Sequence, residues 1–368
     1  MKKKISQLIT TASSTLSSCM LPVIPMIVAG SIFKLLYLIL TFTPYAETTT
    51  GMILSLLGDA PFYFLPIFVA YTASKHFQTD PIYGLGAALI LLAPDFIALM
   101  ESTEPVTFLR IPLIQNHYAY NILPSILTVY VLSKIAPRIE KHFVPALKGT
   151  LYPFVLFAVI ALLEILVIAP IGSVISRGLN AVFAFGTAHA AFLTWGIFAA
   201  ALALLIPTGM HWIFESIVFT DLATKGYDNG TMASFFILVM SLAGMDLAYA
   251  LRAKTGRDKA VYFGYFLGAL LPGVSEPSLF AIALRDKKAM RSLLLSSFLV
   301  GMFQGIVSIH CTIYSFPALP SILMFYNPQD KYNLLQAVIA MLLSLLLGFL
   351  FTWFSCKETV SSIIPEDI

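Results

Sequence analysis

Residues 261–284 read VYFGYFLGALLPGVSEPSLFAIAL, an apolar run interrupted by a single carboxylate, Glu276, and the proline that follows it, Pro277. An ionisable side chain at membrane depth costs roughly 3 kcal/mol or more, so such groups mark functional sites by default. Pro277 prevents the segment from being a plain helix. Broken backbone survives at that depth only where it is buried in protein or lines a cavity. Glu276 therefore reads as a ligand-facing residue on a re-entrant or interrupted helix.

The remainder of the chain places that stretch in a membrane. Of 368 residues, 58% are hydrophobic and only 11% charged, and the mean hydropathy is +0.87; soluble domains carry about a quarter charged residues. Apolar runs long enough to span, roughly 17 to 25 residues each, lie near 17–40, 52–73, 84–100, 118–133, 151–170, 189–206, 231–250, 292–312 and 335–355. Shorter apolar pieces occupy 212–224, 260–271 and 273–284. The opening Met1–Lys4 is basic and polar residues follow it without a cleavage site, so the first run is expected to stay as a helix.

Net charge is only +3, but most of the 22 Lys and Arg residues fall in six places. These are Lys2–Lys4, Lys75, 134–148, 252–259, 285–291 and Lys357. All six share one side if the N-terminus is cytoplasmic, 212–224 crosses, and 260–284 dips in and returns. Basic residues near span ends set orientation. The expected fold is therefore an all-α polytopic membrane protein with about ten transmembrane helices and at least one re-entrant hairpin, both termini inside. Cys19, Cys311 and Cys356 read as small core residues. No cofactor or metal is implied, since no His/Glu set has ligand spacing. Nucleic-acid binding has no support, because the basic clusters are short and lack interleaved aromatics.

The segment 133–148 is polar and basic and separates the first four spans from the rest. The expected organisation is a first half, 1–170, a connector over 171–188 that could lie on the membrane surface as an amphipathic helix, a second half, 189–356, and a cytoplasmic tail, 357–368. Two breaks interrupt the second half: Pro207-Thr208-Gly209-Met210-His211-Trp212 and the Glu276 segment. Binding sites in transporters are built from discontinuous helices of this kind.

Glu276 as a carboxylate accepts hydroxyl hydrogen bonds, which suits recognition of a polyol in a dry pocket; a structural role, capping a helix or pairing a lysine, is the alternative. His211 follows the Pro-Thr-Gly break and is either a site residue or a buried structural histidine. Trp212 stacks on a sugar face or anchors at the interface. Lys34 snorkels or meets a carboxylate. Asp59 and Asp95 line a cavity or cap helices. Glu164, Glu215 and Asp246 also lie in apolar surroundings, with no role assigned.

These residues resemble a known family, the enzyme IIC membrane component of the bacterial sugar phosphotransferase system, in its glucose superfamily and nearest the beta-glucoside, sucrose and trehalose branch. Gly273-Val274-Ser275-Glu276-Pro277-Ser278-Leu279-Phe280, followed by Leu284-Arg285-Asp286-Lys287-Lys288, is similar to the family's Gly-(Ile/Val)-Thr-Glu-Pro-Ala-Ile-Tyr segment and its Leu-Arg-x-Lys-Lys loop. Met210-His211-Trp212 resembles its Gly-Leu-His-Trp element. Gly58–Pro66, Pro94-Asp95, Pro170-Ile171-Gly172 and Gly226-Tyr227-Asp228 look like further landmarks.

The resemblance implies a homodimer in a bacterial cell membrane, with the first half as scaffold and the second carrying sugar by an elevator-like movement. Sugar would be bound by Glu276 and His211, with Trp212, Ser275, Gly209, Thr208 and Asp59 as further substrate-binding candidates. A IIB partner carrying a phosphocysteine, itself served by IIA, would phosphorylate the 6-hydroxyl inside. The family usually fuses IIB to this membrane part, whereas this chain runs from the first span to just after the last, so the expectation is that separate proteins supply the phosphoryl group. Ser275 stands where the family has Thr, Phe280 where it has Tyr and Ala93 where it has His, while Glu215 and Asp246 add charges. The rival readings are a sugar sensor that moves no cargo, a facilitative or proton-coupled carrier, and, with least support, an intramembrane hydrolase.

Overall fold

The computed structural model describes residues 11, 14–102, 104–115, 118 and 122–356; the basic opening Lys2–Lys4 and the tail 357–368 lie outside the described residues. Helices dominate, at about 80% of the chain. In chain order the main ones are α1 (Ile24–Leu40), α2 (Thr49–Tyr63), α3 (Leu65–His76), α4 (Pro81–Leu92), α5 (Pro94–Glu101), α6 (Ile122–Glu140), α7 (Leu151–Leu163), α8 (Ala169–Thr208), α9 (His211–Lys225), α10 (Thr231–Arg252), α11 (Gly256–Leu270), α12 (Lys287–Val307) and α13 (Asn333–Ser355). The two short strands, β1 (Thr107–Phe108) and β2 (Ile111–Pro112), form one antiparallel hairpin.

Among the described residues, seven helical stretches are long and apolar enough to cross a bilayer, or eight if the bent pair α4 and α5 counts as one span. That pair bends by 44° at Ala93-Pro94, where proline has no N–H to give the preceding turn. The sequence-based count of about ten is higher because it includes short pieces such as α9. It also divides the stretch Leu151–Thr208, whose 58 residues would measure about 87 Å as one straight helix. Ala190 leaves helical geometry inside that stretch, at φ −154° and ψ 64°, so it is two helical arms joined at a kink. The segment 171–188 belongs to the first arm.

The described residues fall into two compact units, one within 1–30 and 55–181 and the other within 31–54 and 182–368. In the first unit, Ala87 of α4, Leu132 of α6, and Leu156 and Ile160 of α7 form a buried cluster. A second cluster joins Leu91 of α4, Met100 of α5, Tyr118 and Ala169. Glu164 opens a π-helical turn between α7 and α8; it is fully buried, and neither carboxylate oxygen has a hydrogen-bond partner among the described residues.

The second unit is organised around α10. Its apolar window is 89% buried, against 28–44% for the other spans, so α10 is sheathed by protein while its neighbours turn one side outward. Lipid then meets residues such as Leu342, Leu346 and Ile306, which are exposed. Close approach of α10 to α13 is set by small residues: a Cβ on Gly348 would stand 2.1 Å from the Ser241 carbonyl oxygen. One on Gly244 would stand 2.2 Å from that of Leu345. Small residues of this kind let helix backbones pack tightly in membranes. Asp228 fixes the start of α10, accepting from the N–H groups of Gly230 at 3.1 Å and Met232 at 2.8 Å.

Candidate functional site

Both sequence breaks are breaks in the structure, and both lie in the second unit. α8 ends at Thr208, Gly209 takes φ +73°, and α9 starts at His211. The hydroxyl of Thr208 is turned back on its own helix, donating to Leu205 O at 2.8 Å, and is exposed. His211 and Trp212 are buried, with ring centroids 4.9 Å apart. Burial of Trp212 leaves it shaping protein interior and not anchoring at an outer surface. The His211 ring interacts with the carbonyls of Leu205 and Ile206, yet its Nδ1 has no hydrogen-bond partner among the described residues.

After α11 the chain runs through an irregular loop, makes one helical turn over Glu276–Ser278, and widens into a π-helical turn over Leu279–Ala283. Gly273, at φ +76°, lies so close to the loop 308–332 that a Cβ there would be 2.9 Å from Pro317 O. Val274 N donates to Gly268 O at 2.9 Å, tying the loop back to α11. Glu276 is half-buried and Ser275 buried; the Ser275 N–H donates to Glu276 Oε2 at 3.1 Å. The Ser278 hydroxyl donates to Oδ1 of Asp246 on α10. Asp246 is fully enclosed, and its Oδ2 has no partner among the described residues. The turn that carries Glu276 is thus pinned to the most buried helix of the unit.

Glu215, one turn beyond His211 on α9, is linked to the Glu276 turn. Its Oε2 accepts from the Tyr314 hydroxyl at 2.6 Å, and its carboxyl group lies within electrostatic range of Glu276. Tyr314 itself packs on Phe219 of α9, ring centroids 4.5 Å apart. Tyr314, Glu215 and Glu276 therefore form one polar group, His211 lies one turn before Glu215 on the same face of α9, and the Glu276 turn is tied to Asp246 through Ser278. Asp59 is in the first unit, inside α2, where it accepts from Ser55 at 3.2 Å. Asp95 sits exposed in the first turn of α5.

The sequence reading left Glu215 and Asp246 without a role, quoted Ser278 only as part of the motif, and passed over Tyr314. For Glu215 a signal existed: residues four apart share a helix face, so His211 and Glu215 point the same way once α9 is helical. No comparable local signal marks Tyr314, which is 99 residues from Glu215. The end of α10 with the start of α11, and the start of α12, carry basic residues, Arg252 to Lys259 and Arg285 to Arg291. Asp286 caps α12 by accepting from Lys288 N at 2.7 Å and receives the Tyr249 hydroxyl at 2.7 Å.

Comparison with known proteins bears on this geometry. The profile of the family described as "Phosphotransferase system, EIIC" matches residues 17–290. The arbutin-, cellobiose- and salicin-specific EIIBC component of Escherichia coli (strain K12) is 30% identical over 338 residues, which are 90% of this chain and 70% of that protein. The beta-glucoside-specific EIIBCA component of Bacillus subtilis (strain 168) is 28% identical over 88% of this chain and 54% of its own length. The sucrose-specific EIIBC component of the same organism is 26% identical over 92% of this chain and 74% of its own length. The chain thus spans between about half and three quarters of the length of these relatives. Among solved structures, the transporter ChbC, the IIC component from the N,N'-diacetylchitobiose-specific phosphotransferase system, shares the fold with a TM-score of 0.53, over 98% of this chain and 96% of that one, at 10% identity.

Proposed function

Since the chain belongs to the phosphotransferase system EIIC family, a family of sugar-specific permease components, we propose that its site binds and translocates a sugar of the beta-glucoside or disaccharide class through Glu276 and His211. The observation that carries this reading is the pairing of two broken elements. The Glu276 turn, held on Asp246 by Ser278, is within electrostatic range of Glu215 on α9, the helix that opens with a buried histidine whose Nδ1 has no hydrogen-bond partner among the described residues. Buried polar atoms are nearly always paired, so an open Nδ1 on the helix that also carries Glu215 suits a ligand rich in hydroxyls. Glu276 accepts sugar hydroxyl protons, His211 orients a hydroxyl near the phosphorylation position, and Trp212, Ser275, Gly209 and Thr208 shape the surroundings. Asp59 lies in the first unit and is not among the residues this reading uses.

Phosphorylation belongs to a IIB partner served by IIA, as the fused relatives' names suggest. The phosphoryl group passes from the IIB cysteine to the sugar 6-hydroxyl; an S–P bond breaks, an O–P bond forms, and the hydroxyl proton ends on the freed cysteine sulfur. The product is then too charged to return through a site built for a neutral sugar. The multi-pass chain sits in a bacterial cell membrane with both termini cytoplasmic, which puts the basic ends of α10 and α12 on the side where IIB works. The first half, 1–170, serves as scaffold in a homodimer, 171–188 connects, and 189–356 carries the sugar.

Uptake of labelled beta-glucosides, disaccharides and hexoses into cells lacking their own permeases, with and without a IIB partner, tests the reading. Accumulation as sugar phosphate that needs both the partner and Glu276 is the expected result. Accumulation of free sugar would make the chain a carrier, and no uptake after correct insertion would make it a sensor.

A further inference from the structure

We propose that Glu215, held by Tyr314, is a second hydroxyl-binding arm of the sugar site, opposite Glu276, and that it determines which sugar ring the protein accepts; this rests on the proposed function above. Glu215 is only 7% exposed. Among the described residues the groups acting on its carboxyl are the Tyr314 hydroxyl and the like charge of Glu276, not a cation. A buried carboxyl group needs donors, and a carboxylate has about four acceptor positions, of which Tyr314 fills one. A second acid in range of the first makes that need larger, because like charges oppose each other.

A sugar answers both demands. Its ring carries hydroxyls on adjacent carbons, each a donor, so one can face Glu276 while another faces Glu215. The helix register supports this placement: Glu215 follows His211 by one turn on α9, so both lie on one face of that helix. Tyr314 adds direction. By occupying Oε2 at 2.6 Å, it fixes the plane of the carboxyl group and so selects the hydroxyl orientation that Glu215 can accept. Ring stereochemistry, axial against equatorial, is what such a fixed acceptor distinguishes.

The test is equilibrium binding to the full chain in phospholipid nanodiscs. The probe is whichever of labelled salicin, cellobiose and sucrose binds most tightly, together with monodeoxy derivatives of its glucose ring. Hydrogen bonds to charged groups are the stronger ones, so the wild-type chain should lose about tenfold or more in affinity for at least one derivative. In Glu215→Gln and in Tyr314→Phe the parent sugar should bind about tenfold more weakly, and the discrimination against that one derivative should vanish while discrimination against the others persists. A uniform loss for parent and all derivatives, or no change, overturns the inference. Tyr314→Phe keeps the packing on Phe219 and so decides the matter where Glu215→Gln does not fold. Retained parent binding by Glu276→Gln refutes the proposed site without touching the second arm, which is read from the deoxy pattern alone. A wild-type chain that binds none of the three sugars overturns both.

Discussion

Removing the Ser278 hydroxyl should loosen the Glu276 turn, because among the described residues that hydroxyl is the one hydrogen-bond partner of the Asp246 carboxyl group. Asp246 is fully enclosed on α10, its Oδ2 already has no partner among the described residues, and its Oδ1 takes the Ser278 hydroxyl. Ser278→Ala therefore leaves a buried carboxyl group with no donor at all, at a cost of about 1–3 kcal/mol. Snorkelling offers no escape, since α10 is surrounded by protein and the aspartate side chain is short. If the penalty falls wholly on the sugar-competent position of the turn, affinity drops about 5- to 150-fold. Asp246→Ala leaves the Ser278 hydroxyl without its acceptor, whereas the double variant Asp246→Ala/Ser278→Ala removes both members. The double variant should therefore cost less than the sum of the singles, with a coupling of about 1 kcal/mol. Sugar binding in nanodiscs and thermal unfolding midpoints in detergent, measured on all four proteins, provide the comparison. Wild-type affinity and midpoint in Ser278→Ala, or strictly additive losses around the cycle, would refute the claim that this contact positions Glu276.

Other outcomes follow from the same geometry. Glu276→Gln keeps shape but removes the charged acceptor, and should abolish sugar binding while expression and the unfolding midpoint stay at wild-type values; retained binding returns Glu276 to a structural role. His211→Ala should weaken binding or phosphorylation about tenfold without abolishing it, and a wild-type profile would make the histidine structural. Gly348→Val places a side chain where a Cβ already stands 2.1 Å from Ser241 O, so α10 and α13 must separate; a loss of at least about 2 kcal/mol is expected, and an unchanged unfolding midpoint in detergent would contradict the packing. Lys288→Cys, in a chain whose native cysteines are buried and replaced by alanine, should react with an impermeant maleimide only from the cytoplasmic side. Labelling from outside intact cells would invert the topology.

Much of this protein was legible in its sequence, and for one reason. A bilayer imposes its demands locally along the chain: spans must be apolar for a set length, backbone polar groups must be satisfied within the segment, and basic residues collect at one set of ends. The multi-helix membrane fold, the break before His211 and the broken segment around Glu276 all follow from composition and spacing read a few residues at a time. The motif around Glu276 sufficed to indicate the family, and the comparisons bear that out. Tertiary structure decided what stands beside those residues. Ser278 meets Asp246 across 32 residues and Tyr314 meets Glu215 across 99, distances over which no periodicity or propensity carries information. The sheathing of α10, the use of Asp246 as an anchor and the entry of Glu215 into the polar group depend on how helices pack. A carboxylate in an apolar run shows in the sequence only that it needs a partner; the fold determines which one it finds.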